Sequence, residues 1–383
     1  MKGPAALLAC LLGVGPALAD GLDRAVGKSL FERLWVPAPA STGATDGLGP
    51  FHDARSCAAC HPAGAGAARL HVEGDGSLGG LGLTLRLADD PVYGRQLQRM
   101  AVPTLAAEAS WRLLVSEGPP QLVVNQLASG RLTAPAGART ATDLRGLTSL
   151  ERVPDSVILA RADPDDADGD GISGRANHDP RTGRLGRFGH KAVEPDLAAQ
   201  TETAFLLDLG LATPGWPWPA GDCTPEQTAC LAAPQGAEPG TAELPAGVVD
   251  SVVAYLRALP PPAKAPEGAG RHLFVAAGCA SCHALELAAV PAGTDFLLHD
   301  LGPGLADGVA EGTAYGAEWR TAPLAGIGRR LAAGARLLHD GRADDVGAAV
   351  GWHDGEAAAA RTRFGGLRPD EREALVAWLK EWR

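Results

Sequence analysis

Two short stretches can do chemistry: "SCAACH" at residues 56–61 and "GCASCH" at residues 278–283. Each sets two cysteines three positions apart and puts a histidine directly after the second. A bare CxxC serves zinc, thiol redox or disulfide chemistry equally well. The added histidine narrows the choice. Two thiols one helical turn apart can each add to a vinyl group of haem, and the next side chain then points at the iron. The spacing therefore predicts covalent c-type haem at Cys57, Cys60 and His61, and a second haem at Cys279, Cys282 and His283.

The compartment fits that chemistry. "MKGPAALLACLLGVGPALAD" has one early cation, a short apolar run and a small-x-small site at Ala17-Leu18-Ala19. It reads as a signal peptide over residues 1–19, with periplasmic export. A lipoprotein site at Cys10 is the weaker alternative. No run of about 20 apolar residues follows, so no transmembrane segment is expected in the mature chain. Of seven cysteines, one falls in the leader and four in CxxCH. Cys223 and Cys230, left over, are expected to pair as a local disulfide. Net charge is -11 without a Lys/Arg-rich block, which argues against a nucleic-acid partner.

The elements that must position the motifs repeat. "GKSLFERLW" (27–35) precedes the first and "GRHLFVAAG" (270–278) the second. Amphipathic stretches "PAGVVDSVVAYLRALP" (245–260) and "RPDEREALVAWLKEW" (368–382) close the two halves. The polar, proline-rich "LPPPAKAPEG" (259–268) reads as a linker. The expected fold is mainly α, with two cytochrome-c-like helical lobes over 20–262 and 263–383. Loop-rich insertions enlarge the first lobe, and strand content is low.

"DDADGDGISGRAN" places Asp166, Asp168 and Asp170 at alternate positions before Gly171, like the start of a calcium loop. The acid that would close such a loop is missing, since Asn177 stands there. A solvated Asp/Gly turn is the other reading.

Longer stretches resemble a known family. "WVPAPASTGATDGLGPFHDARSCAACH", "DPVYGRQLQ", "ARADPDDADGDGISGRANH", "GRFGHKA", "LLHDLGPGLADG" and "LLHDGRADDVGAAVGWHDGEA" look like the dihaem c-type oxidoreductases, also called thiol oxidoreductases, which are related to bacterial dihaem cytochrome c peroxidases. The chain departs from the family at His190, where an aromatic residue is usual. The resemblance nudges the acidic loop towards calcium. It also implies a distal ligand about fourteen residues beyond "HDG", which is His353 here.

Distal ligation decides function, because a closed iron relays electrons and an open one binds small molecules. Beyond the leader the chain has one methionine, Met100, so the C-terminal haem has no methionine of its own lobe. His353 is expected to close it, the alternative being a loop-capping role. His52, His71, Met100, His178 and His190 are the candidates around the first haem, and an open iron is favoured there. Glu194 and His190 are candidate acid-base groups, and Arg342 a candidate propionate partner. Trp35, Trp319 and Trp352 are weighed as bridges between the haems. The leading reading is an exported peroxidase. It would reduce hydrogen peroxide at the N-terminal haem with electrons that a small cytochrome or cupredoxin delivers through the C-terminal haem. A pure electron carrier and an enzyme that oxidatively modifies a partner protein are the alternatives.

Overall fold

The structure, a computed structural model, describes residues 16–41, 46–66, 70–115, 118–238 and 240–383, with the backbone alone for 16–20. Residues 1–15, with Cys10, lie outside the described residues, while residues 16–19 of the expected signal peptide stand at the start of the helix Pro16–Glu32. No described helix is long and apolar enough to cross a membrane.

Each CxxCH motif is framed by a pair of crossing helices. Pro16–Glu32 packs on Ala246–Arg257, and Ala269–Ala276 packs on Pro369–Glu381. The crossings match residue for residue. Gly27 lies against the Ser251 carbonyl and Tyr255, and Gly270 against Ala374 and Trp378. Four residues on, Phe31 meets Tyr255 with ring centroids 5.1 Å apart, and Phe274 meets Trp378 at 5.2 Å. A side chain at either glycine would hold the helices apart, so the close approach explains the repeated glycine.

The expectation of a mainly α chain is wrong. Helix makes up 30% and strand 17%, so the content is mixed. Much of the strand lies between Leu78 and Thr140. Leu83–Asp90 is the centre of an antiparallel three-stranded sheet, with Gly94–Gln96 on one side and Ala136–Thr140 on the other. Ala109–Leu114 and Gln121–Leu127 form a hairpin beside it. The cause is a period of two. Leu83, Leu85 and Leu87 enter a core with Tyr93, Leu97, Trp111 and Leu113, while Thr84 and Arg86 face the other way. The alternation is visible in the sequence and runs against the expectation of loop-rich insertions with low strand content.

The sheet also reaches the second half of the chain. The Thr140 amide donates to the His339 carbonyl at 2.7 Å. Arg175 exchanges backbone hydrogen bonds with Leu298 and pairs through its guanidinium with Glu318. Cys223 and Cys230 are joined as a disulfide.

Candidate functional site

Cys57–Cys60 forms a single helical turn, capped by Ser56, whose hydroxyl accepts the Ala59 amide. The His61 amide donates to the Cys57 carbonyl at 2.9 Å, and the His283 amide to the Cys279 carbonyl at 3.0 Å. Both rings are then oriented in the same way. His61 Nδ1 donates to the Thr142 carbonyl at 2.9 Å, and His283 Nδ1 to the Gly293 carbonyl at 2.9 Å. A carbonyl on Nδ1 fixes the tautomer and leaves the Nε2 lone pair for a metal. Burial lowers both pKa values, that of His283 to about 4, so both imidazoles are neutral near pH 7.

The four motif cysteines form no disulfide. Burial, with the charge of Asp208 next in size, pushes the Cys57 and Cys60 thiols up to about 12, and burial pushes Cys279 up to about 11. Thiols held protonated do not suit thiolate-metal or thiol-exchange chemistry. One rival metal cluster exists in the second half, Cys282 with Asp295 and His299. His299, however, spends Nε2 on Asp295 at 2.9 Å and Nδ1 on Glu356 at 2.7 Å. Burial pulls its pKa down, but these hydrogen bonds and one to Cys282 outweigh burial and hold it at about 12. An imidazolium has no lone pair to give a metal.

One cavity of about 780 Å³ touches both motifs, and Cys57, Cys60, His61, Cys279, Cys282 and His283 all line it. Its walls are apolar in the main, with Leu147, Leu207, Phe274 and Leu379 among them, but cations interrupt them. Arg86 Nε, Arg95 Nη2, and Arg139 Nε and Nη2 are buried there without a hydrogen-bond partner. Unpartnered buried guanidinium atoms are costly unless a ligand accepts from them. Arg95 is ion-paired with Asp222 and Arg139 with Asp307 and Glu311, so what each offers is an unused N–H and not a free cation. An apolar slot with thiols, neutral imidazoles and unused guanidinium N–H groups fits haem, whose ring is apolar and whose propionates are anionic. The residues therefore fit the group on their own chemistry.

His353 lines the same cavity and sits near enough to His283 for its charge to lower the His283 pKa. Its Nδ1 donates to the Ala349 carbonyl at 2.8 Å, which leaves Nε2 free, as in the two motif histidines. Of His52, His71, Met100, His178 and His190, only His190 lines the cavity. Burial, then Arg139, Arg320, Arg86 and Lys191, drive the His190 pKa well down, so it is a neutral imidazole.

Glu194 is 7% exposed and lines the cavity. Its Oε1 accepts from the Thr203 hydroxyl at 2.7 Å, while Oε2 has no hydrogen bond, with Arg181 3.6 Å away. Burial raises its carboxyl pKa. Arg342 does not line the cavity. Its guanidinium is held by Asp340 and the Gly304 carbonyl and lies over Trp352. The acidic loop brings Asp163, Asp166 and Asp168 together. Asp170 is outside that trio, and its carboxylate accepts the Ile172 amide at 2.9 Å.

The three candidate bridging tryptophans take different places in the fold. Trp319, one of the three tryptophans weighed, stacks on His339 with centroids 3.7 Å apart, and Arg139 and Lys191 lie against its ring at 4.6 and 4.1 Å. Trp35 is buried against Phe205, and Trp352 lies beneath Arg342. Sequence reasoning missed Arg86, Arg139 and Lys191, although Lys191 stands beside His190 in "GRFGHKA" and Arg86 lies on the polar face of an alternating strand.

A family model described as "di-haem oxidoreductase, putative peroxidase" matches residues 132–382, well over half of the chain. The match includes the second CxxCH and begins beyond the first and beyond most of the strands. No curated protein and no solved structure matches. With two CxxCH motifs on one cavity and a matched stretch of that length, the chain belongs to the di-haem oxidoreductase family.

Proposed function

We propose that the chain is an exported di-haem c-type enzyme that reduces hydrogen peroxide at its N-terminal motif. Electrons from a small cytochrome or cupredoxin reach that motif through the C-terminal one. The balance is H2O2 + 2 H⁺ + 2 e⁻ → 2 H2O. Bound haem would supply an iron that exchanges single electrons and, where its sixth position is free, takes a small molecule.

The observation that carries the reading is the asymmetry of the shared cavity. His353 shares the C-terminal end with His283 and presents a free Nε2. His283 and His353 would be the residues to hold a haem iron there, and two imidazole ligands would suit electron relay at low potential. The rest of the wall carries Glu194, His190 and Arg86, and Arg86 is tied to the N-terminal motif through Asp208, which feels both its charge and that of His61. Glu194, with its raised pKa and unpartnered Oε2, can hold a proton and give it to a leaving oxygen. Export rests on the leader sequence. Calcium would sit on Asp163, Asp166 and Asp168, a trio that exposed acids also form without an ion.

A pure electron carrier is the second reading, and one observation favours it. The His190 ring lines the cavity as a neutral imidazole and could itself ligate an iron. Electron paramagnetic resonance of the oxidised holoprotein separates the two. The peroxidase reading expects one high-spin and one low-spin iron, and a Soret shift on rapid mixing with hydrogen peroxide. Two low-spin signals with an unmoved Soret band would leave only the carrier.

A further inference from the structure

The strand Leu83–Asp90 sends Leu83, Leu85 and Leu87 into the neighbouring core and Thr84 and Arg86 into the cavity. It starts beside the first motif, since Gly82 lies against the Cys60 carbonyl. Arg86 is four residues on, roughly 13 Å along an extended strand. Its Nε is buried and unpartnered. Its charge is felt by Glu194, His190 and Asp208, and Asp208 also feels His61. Arg86 thus belongs to the N-terminal end of the cavity, beside the one buried carboxyl there with an unpartnered oxygen. The residue lies outside the stretch that the family model matches.

We propose that Arg86 is the anion-stabilising group of the N-terminal site and works with Glu194 on the O–O bond of peroxide. This rests on the peroxidase reading above. When the bond breaks heterolytically, the departing oxygen takes the electron pair and becomes hydroxide-like. Glu194 gives that oxygen a proton, so that it leaves as water, while the Arg86 guanidinium donates to the developing negative charge. The oxygen left behind takes the two electrons that the redox-protein donor supplies and one proton from solvent and becomes the second water, and solvent returns a further proton to Glu194. A guanidinium suits this task because it stays charged at every working pH and offers directed N–H donors. The sheet supplies it on a fixed backbone. Arg86 lies opposite Gly137 on one neighbouring strand and Gln96 on the other, so its position is set by strand register.

The test uses the oxidised holoprotein and sodium fluoride, an anion that reports the same donors without turnover. Fluoride binding is followed by the visible spectrum in the natural protein and in Arg86→Leu and Arg86→Lys. Affinity should fall roughly ten- to hundredfold in Arg86→Leu, the loss of one charge-assisted hydrogen bond, and recover in large part in Arg86→Lys. Unchanged affinity in Arg86→Leu overturns the assignment. So does unchanged affinity with a shifted midpoint potential, because Arg86 would then serve a propionate. If the natural protein takes up no fluoride at all, the open N-terminal site is itself wrong, and the peroxidase reading falls together with this one.

Discussion

Replacing Gly27 by alanine tests the helix crossing that frames the first motif. A Cβ at Gly27 would lie 1.8 Å from the Ser251 carbonyl oxygen, 2.6 Å from its carbon and 3.0 Å from the Tyr255 Cβ, where ordinary contact begins at 3.4 Å. The nearest obstacle is backbone, so no rotamer change relieves it and the helices must part by more than an ångström. That separation opens the packing of Leu30 and Phe31 against Val252, Val253 and Leu256. Overpacking of this kind costs typically 1–3 kcal/mol, and a backbone clash belongs at about 3 kcal/mol. At about 2 °C per kcal/mol for a chain of this size, the holoprotein should unfold on the order of 6 °C lower by circular dichroism. Gly247→Ala is the internal control. It lies on the partner helix with nothing within 4 Å of its Cβ, so it should gain roughly 0.5–1 kcal/mol of helix propensity. If Gly27→Ala melts at or above the temperature of Gly247→Ala, the crossing is not what the glycine is for.

Two further outcomes are expected. The double variant Cys279→Ala/Cys282→Ala should carry half the covalent haem of the natural protein by the pyridine haemochrome assay; undiminished haem would remove the second attachment site. His299→Gln leaves Asp295 and Glu356 buried without their cation and should cost about 3–5 kcal/mol near pH 7 in urea unfolding. Hydrogen bonding to His299 helps to hold the Glu356 pKa below 4.5 against the opposing pull of burial. Its stabilising effect is therefore present above that value and lost as pH falls through the native pKa. His299, held at about 12, adds stability that is fully present below its ordinary value of about 6.5 and is lost as pH rises towards 12. The gap between variant and natural protein should therefore grow slightly from pH 7 to about 6 and narrow only as pH falls through the native Glu356 pKa, and a gap that goes on widening below pH 4.5 would refute the pairing.

The sequence by itself determined the local chemistry. CxxCH needs only five consecutive residues to place two thiols and an imidazole on one turn, so both attachment sites could be read directly. The repeated glycine, phenylalanine and large aromatic of the crossings were legible for the same reason, because helix periodicity is local. The period-two segment "LTLRLADD" was equally plain, yet its setting among glycines and prolines led to a reading as loop. What only the tertiary structure decided is how distant segments meet. His61 takes its tautomer from Thr142, 81 residues away, and Arg139 and Lys191 meet Trp319 from two other parts of the chain. Asp163 replaces Asp170 in the acid trio because a turn, not alternation, sets which carboxylates converge. Arg342, a candidate propionate partner because a guanidinium suits carboxylates, is instead satisfied by its neighbour Asp340. A site on one cavity is a matter of long-range packing, and no periodicity in a linear chain encodes which buried cation is left without a partner.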